Sequence, residues 1–177
     1  MLPNRREDKN APAGSQDGFS GKMRHAALMA MREEASPMKH EEVRATIMAY
    51  VDGWKHSDRE AWGALFADDA VLVDPVGKPA HVGKAAVLAF FDGVQAMPFK
   101  FTPHVHRVAV CGHEAMLLFR MEAVGKDGNG MFVEVADIFA LNEAGKISSL
   151  KAYWDKGCRG VMVANQVAGG GSQAKAG

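Results

Sequence analysis

The chain has 177 residues, which suits one domain with terminal extensions, because domains commonly contain about 100–150 residues. Basic and acidic residues total 21 each, so the formal net charge is zero and offers no long-range field for nucleic acid or an anionic membrane. The two cysteines cannot build a disulfide framework, and no stretch approaches the roughly 18 apolar residues of a membrane span. We therefore expect a cytoplasmic protein whose partner is a small apolar or neutral molecule.

Composition divides the chain into a central domain and two extensions. The first 22 residues are polar and rich in glycine, and residues 23–35 could form a short helix that ends at Ser36-Pro37. The last residues are mostly glycine, alanine and small polar side chains. We predict a flexible extension over 1–37, a domain over 38–165 and a flexible tail over 166–177.

The first half of the domain has the apolar spacing of three helices. The first helix is expected to start near Ser36-Pro37, with Tyr50 on its apolar face. The second is expected to begin at Ser57, whose hydroxyl would accept a hydrogen bond from a backbone N–H while Glu60 reaches back to another. The positions predicted to be buried are, helix by helix, Val43, Ile47, Tyr50, Val51 and Trp54; Trp62, Leu65 and Phe66; and Val87, Phe90, Phe91 and Val94.

Strand patterns occupy the remainder of the domain. A short strand over 70–74 ends at Asp74, because Pro75 has no N–H to donate to a ladder. Four further strands are predicted over 100–111, 114–125, 130–142 and 146–154. Helices followed by antiparallel strands indicate the α+β class, with the helices packed on one side of a curved, mostly antiparallel sheet around a conical pocket.

One acidic residue interrupts the apolar alternation of the third long strand. Strand geometry places every second residue on one side, and the residues so aligned are Met131, Val133, Val135, Asp137, Phe139 and Leu141. A carboxylate on that face would lose its hydration, so Asp137 should either find strong donors or have a raised pKa. The alternative is a bulge near Asp137 that turns its side chain toward water or into a local salt bridge.

Two other residues have both a structural and a chemical interpretation. Tyr50 lies on an apolar helix face, where a tyrosine is commonly a core residue with its hydroxyl satisfied. Asp74 precedes Pro75, a pair that often serves only to form a turn. Neither residue alone indicates catalysis.

Four stretches of the sequence occur together in a specific order. They are Tyr50-Val51, the run from Leu65 to Ala70, Asp74-Pro75-Val76-Gly77, and Asp137-Ile138-Phe139. Over about residues 40–157 the chain thereby resembles the ketosteroid isomerases (steroid Δ-isomerases) of the NTF2-like, or SnoaL-like, superfamily. The resemblance implies an NTF2-like cone and a homodimer.

The resemblance also implies roles for three residues. Asp74 would be the general base that shuttles a proton, while Tyr50 and a protonated Asp137 would form the oxyanion hole. A carboxylic acid that stays neutral at pH 7 so that it can donate a hydrogen bond is known in that family. Trp154 matches a position where the family has a large aromatic residue near the base.

The predicted substrate pocket needs no cofactor or metal. We expect Trp154, Phe90, Phe91, Val135 and Phe139 to line it, with Phe91 standing where some relatives have a tyrosine that extends the oxyanion-hole network. His104 and His106 share a strand face, but no third ligand has suitable spacing for a metal.

The function that the resemblance implies is isomerisation: moving a double bond from β,γ to α,β of a 3-ketosteroid or similar hydrophobic ketone. Two alternatives remain open. One is a SnoaL-like polyketide cyclase, which also enolises a carbonyl compound but needs no pair equivalent to Tyr50 and Asp137. The other is a non-catalytic NTF2-like module that binds a small ligand or dimerises.

Overall fold

The computed structural model describes residues 38–164. The predicted extension over 1–37, with its short helix, and the tail over 166–177 lie outside the described residues. The elements in chain order are α1 (His40–His56), α2 (Arg59–Ala64), β1 (Phe66–Val73), β2 (His81–Val82), α3 (Lys84–Gln95), β3 (Lys100–Cys111), β4 (Glu114–Val124), β5 (Gly130–Leu141), β6 (Ile147–Tyr153), a 3-10 turn (Lys156–Cys158) and β7 (Arg159–Met162).

The strands form one mostly antiparallel sheet in the order β2-β1-β6-β5-β4-β3. The pairing of β1 with β6 is parallel, and the other pairings are antiparallel. One edge of β5 is shared by two partners: β6 pairs with residues 136–141 and β7 with residues 130–133. The predicted α+β class, with three helices on a curved antiparallel sheet, is confirmed.

The helices bury the faces that the spacing predicted. In α1 the buried residues include Val43, Ile47, Tyr50, Val51 and Trp54, and α1 packs against β3 and β4. In α3, Val87 and Phe91 are buried while Phe90 and Val94 pack against the core from its margin. Together with the inner face of the sheet, these helices enclose the core.

The start of the second helix differs from the prediction. Ser57 has a φ of 55° and ends α1, and its hydroxyl donates to Gln95 Oε1 at 3.0 Å. Asp58 is the residue that caps α2, because its Oδ1 accepts a hydrogen bond from the Ala61 N–H at 3.0 Å. A serine in the left-handed conformation ends one helix rather than beginning the next.

The first strand is longer than predicted, and two strands were missed. It starts at Phe66, so Phe66 is buried from β1 rather than from the helical stripe, and Leu65 is only partly buried. Its register against β6 shifts between Phe66 and Val71, and this irregularity obscured the alternation in the sequence. The missed strands, β2 and β7, have two and four residues, too few to show a period.

No helix within residues 38–164 is long and apolar enough to cross a membrane.

Helices α1 and α2 approach each other closely at Gly53. A Cβ added there would lie 2.7 Å from the Cβ of Trp62, which is fully buried. We predict that Gly53→Ala lowers the free energy of unfolding by about 1–3 kcal/mol, because the clash would displace Trp62. Urea denaturation measures this change.

Gly93 in α3 is the matched control, because a Cβ added there meets nothing within 4 Å. Gly93→Ala should stabilise the protein by about 0.5–1 kcal/mol through better helix propensity. Equal effects of the two substitutions would contradict the close approach at Gly53.

Candidate active site

A cavity of about 290 Å³ lies between the helices and the inner face of the sheet. Its wall is mostly apolar and includes Trp54, Phe90, Phe119, Met121, Val133 and Val135. Four other residues bring polar groups to it: Tyr50, Asp74, Asp137 and Arg159. An apolar cavity with a few polar groups is the usual form of a site for a small organic molecule.

Asp137 faces the interior of the fold. The pairing of β5 with β4 is continuous from Gly130 to Ala140, so no bulge interrupts it there. The neighbours of Asp137 across the two adjacent strands are Leu117 and Ala152, and only 1% of Asp137 is exposed. The alternative in which a bulge turns Asp137 toward water is therefore wrong.

The two carboxyl oxygens of Asp137 have different surroundings. Oδ2 accepts a hydrogen bond from the Tyr50 hydroxyl at 3.2 Å, whereas Oδ1 is buried and has no partner among the described residues. Burial raises the pKa of Asp137 well above its usual value, and the nearby charge of Asp74 raises it further, while the Tyr50 hydrogen bond opposes this. These effects favour a neutral carboxylic acid that can donate a hydrogen bond.

Tyr50 is held in a cluster of aromatic rings. Its ring centroid lies 5.0 Å from that of Phe139 and 5.7 Å from that of Trp62. Burial raises the pKa of Tyr50 well above its usual value, and a negative charge on Asp137 acts in the same direction. Tyr50 thus stays protonated and presents a hydroxyl donor beside Asp137.

Asp74 directly follows β1 and also lines the cavity. Its Oδ1 accepts a hydrogen bond from Trp154 Nε1 at 2.6 Å. Burial raises the pKa of Asp74, whereas the Trp154 hydrogen bond and the charge of His81 lower it, and the net direction is upward. A carboxylate in this setting is a stronger base than a fully hydrated one, yet it still ionises more readily than Asp137.

The structure brings three of the five predicted pocket residues to the cavity. Trp154, Phe90 and Val135 line it. Phe91 and Phe139 do not, which corrects the prediction for these two. The ring of Phe91 packs 4.7 Å from those of Trp54 and Trp62, and Phe139 packs behind Tyr50, so both are enclosed by the core.

Sequence reasoning missed Arg159, the first residue of β7, which lines the cavity. A four-residue strand gives too few alternating positions to assign its faces from sequence. His104 and His106, which were not predicted to bind a metal, each contact one glutamate on a neighbouring part of the sheet: Glu122 and Glu134, both at 3.0 Å.

The raised pKa of Asp137 predicts a pH-dependent stability. The native protein holds a proton that the unfolded chain releases above about pH 4. The free energy of unfolding therefore contains the full contribution of the protonated Asp137 below about pH 4. Above that pH this contribution declines, by up to about 1.4 kcal/mol per pH unit, as the pH rises toward the pKa of Asp137 in the native protein. In urea denaturation between pH 4 and 8, Asp137→Asn should reduce this decline to the smaller part that the raised pKa of Asp74 contributes.

Asp92 provides the control for that measurement, because a hydrogen bond from Arg59 lowers its pKa. Asp92→Asn keeps Asp137, so its unfolding free energy should decline between pH 4 and 8 as that of the wild type does. If the unfolding free energies of wild type and Asp137→Asn ran parallel from pH 4 to 8, the neutral carboxyl would be ruled out.

The chain resembles known proteins in both sequence and structure. A family model described as a SnoaL-like domain matches residues 47–150. A steroid Delta-isomerase of Nocardioides simplex is 33% identical over 118 residues, which cover 66% of this chain and 92% of that protein.

Two solved structures share the fold. The Δ5-3-ketosteroid isomerase of a Mycobacterium species is 25% identical with a TM-score of 0.60, and the match covers 68% of this chain and 98% of that one. A Mycobacterium tuberculosis protein solved with estradiol-17β-hemisuccinate is 26% identical with a TM-score of 0.61, covering 67% and 98%. The chain therefore belongs to the SnoaL-like (NTF2-like) family, in which the ketosteroid isomerases are among its relatives.

Proposed function

We propose that this protein is a steroid Δ-isomerase-like enzyme, which moves a double bond from β,γ to α,β of a 3-ketosteroid or similar hydrophobic ketone. The observation that carries the proposal is the contact of the Tyr50 hydroxyl with the buried Asp137 carboxyl, on the wall of an apolar cavity that Asp74 shares. One base and two donors to one oxygen are sufficient for this reaction.

In the proposed mechanism Asp74 carries the proton between two carbon atoms. Its carboxylate removes the proton on the carbon between the carbonyl and the double bond, and the electrons of that C–H bond pass into a dienolate. The protonated Asp74 then returns the proton to the γ-carbon, which leaves the double bond conjugated with the carbonyl. The Trp154 N–H holds one oxygen of Asp74, so the other oxygen is the one available to the substrate.

Tyr50 and Asp137 would stabilise the negative charge that develops on the substrate oxygen. Both groups stay protonated because burial raises their pKa values. A neutral Asp137 can donate to the substrate oxygen from Oδ1, and the Tyr50 hydroxyl would turn from Oδ2 to the same oxygen. Donors fixed in a water-poor site stabilise an enolate without reorganising during the reaction.

The relatives support the choice of ligand and reaction. One relative is a steroid Delta-isomerase, and a second was solved with a steroid ester in place. A small hydrophobic ligand also suits the apolar wall of the cavity. A polyketide cyclase would need a base such as Asp74 but no donor pair, so the contact of Tyr50 with Asp137 favours isomerisation.

The homodimer, which the family resemblance implies, and the cytoplasmic location, which composition suggests, stay predictions. Size-exclusion chromatography with light scattering would test the first.

We predict that the purified protein converts a Δ5-3-ketosteroid to its conjugated enone. The increase in enone absorbance measures this conversion. Asp74→Asn should lower kcat by about 10²–10⁴, because it removes the general base. Tyr50→Phe should lower kcat by about 10²–10³, because it removes one donor to the enolate oxygen.

Matched controls are available for both substitutions. Tyr153→Phe alters the only other tyrosine of the chain, which is half exposed on β6, and Asp69→Asn alters an exposed acid of β1. Both control variants should keep wild-type kcat. Absence of enone formation by the wild type would reject the isomerase proposal and favour the binding module. Full activity of Asp74→Asn would show that Asp74 is not the general base.

Trp154→Phe should move the acidic limb of the pH profile of kcat/KM to higher pH. The Trp154 hydrogen bond lowers the pKa of Asp74, so its loss raises that pKa, and the base then ionises only at a higher pH. A pH series on wild type and variant measures the shift. An acidic limb at the same or lower pH would show that Asp74 is not the titrating base.

A further inference from the structure

The position of Arg159 follows from strand pairing. Arg159 is paired with Val133 across the β5–β7 ladder. Residues directly opposite each other on paired strands have their side chains on the same face of the sheet. Val133 lines the cavity, so the Arg159 side chain is on the cavity side of β7 as well, and it is part of the cavity wall.

Arg159 is held there by an aromatic ring. Its guanidinium carbon lies 4.6 Å from the centroid of the Trp154 ring. A guanidinium stacked on a ring face keeps its N–H donors free for other partners. Within residues 38–164, Arg159 forms no ion pair and its side chain makes no hydrogen bond, and it is the one basic residue of the cavity wall.

The polar groups of the cavity wall differ in their burial and in their position along β5. Val133 precedes Asp137 by four residues on β5, which corresponds to about 13 Å along an extended strand. Asp137 is buried, whereas Arg159 is exposed. A ligand whose ketone oxygen reaches Tyr50 and Asp137 would extend from the buried part of the cavity toward its exposed side, where Arg159 lies.

We propose that Arg159 makes the site selective for hydrophobic ketones that carry a carboxylate at the end remote from the reacting carbonyl. This inference rests on the proposed function for the orientation of the ligand. Guanidinium and carboxylate form paired, charge-assisted hydrogen bonds. Because stacking on Trp154 already restricts the Arg159 side chain, the side chain loses less conformational freedom when a carboxylate binds. Arg159 is therefore a specificity residue: it contacts none of Tyr50, Asp74 and Asp137 directly, and it stacks on the Trp154 ring whose N–H holds Asp74.

The test compares two probes that differ in one charge: a Δ5-3-ketosteroid bearing a carboxylate on C17, and its methyl ester. For the wild type we expect kcat/KM to be about five- to tenfold higher for the acid than for the ester, chiefly through a lower KM. In Arg159→Gln this ratio should fall to about one. A wild-type ratio of one or less, or an unchanged ratio in Arg159→Gln, would overturn the proposal.

Arg107→Gln is the control for net charge. Arg107 is exposed on β3 and is not part of the cavity wall, so its removal changes the total charge equally. The ratio for the acid and the ester should stay at the wild-type value in this variant. A ratio reduced equally in both variants would indicate a general charge effect and would overturn the role of Arg159.

Binding separates this inference from the proposed function. The saturated analogues of the two probes cannot isomerise, and their binding can be followed through the fluorescence of Trp154 and Trp54 in the cavity wall. Tighter binding of the acid that is lost in Arg159→Gln supports the inference even if no isomerisation occurs. Isomerisation of the ester without any preference for the acid would reject the inference and leave the proposed function standing.

Discussion

The burial of one carboxyl group, that of Asp137, constrains the rest of the site. Burying an ionised carboxylate without strong donors is costly, and the only hydrogen bond to the Asp137 carboxyl among the described residues comes from Tyr50. The group reduces this cost by remaining protonated, which turns an acceptor into a donor. The apolar surroundings that raise the pKa of Asp137 would also exclude water from a ligand oxygen that contacts it. The position of Asp137 therefore determines both the charge and the polarity of the site.

The scaffold provides the stiffness that such a site requires. Tyr50 belongs to a group of packed rings that also includes Trp54, Trp62, Phe66 and Phe139, contributed by two helices and two strands. A hydroxyl on a ring held from several sides keeps its direction when a ligand enters, which is what preorganised donors need. The wall of the cavity and the core that supports it are thus successive layers of one aromatic cluster. Phe91 and Phe139 pack behind this wall and do not line the cavity.

Periodicity was sufficient to predict which face each long element buries. It placed Tyr50 on the inner face of α1 and Asp137 on the inner face of β5, and the structure agrees with both. A period of two or 3.6 gives the direction of a side chain but not its depth, so Phe139 could not be assigned to core or cavity from sequence. Ser57 was misassigned because capping propensity does not distinguish a helix end from the next helix start. Arg159 of β7 reaches the cavity wall because β7 pairs with residues of β5 about thirty positions earlier in the chain. A local sequence pattern contains no information about such a distant pairing.

The division of one edge of β5 between two partners has an evolutionary consequence. The register around Asp137 is maintained by β4 and β6, whereas β7 pairs only with the first four residues of β5. Substitutions in the segment after β6 can therefore change the open end of the cavity without moving the paired residues around the buried acid. Descendants of a common ancestor could diversify in ligand preference through this short C-terminal strand while the interior layer is preserved.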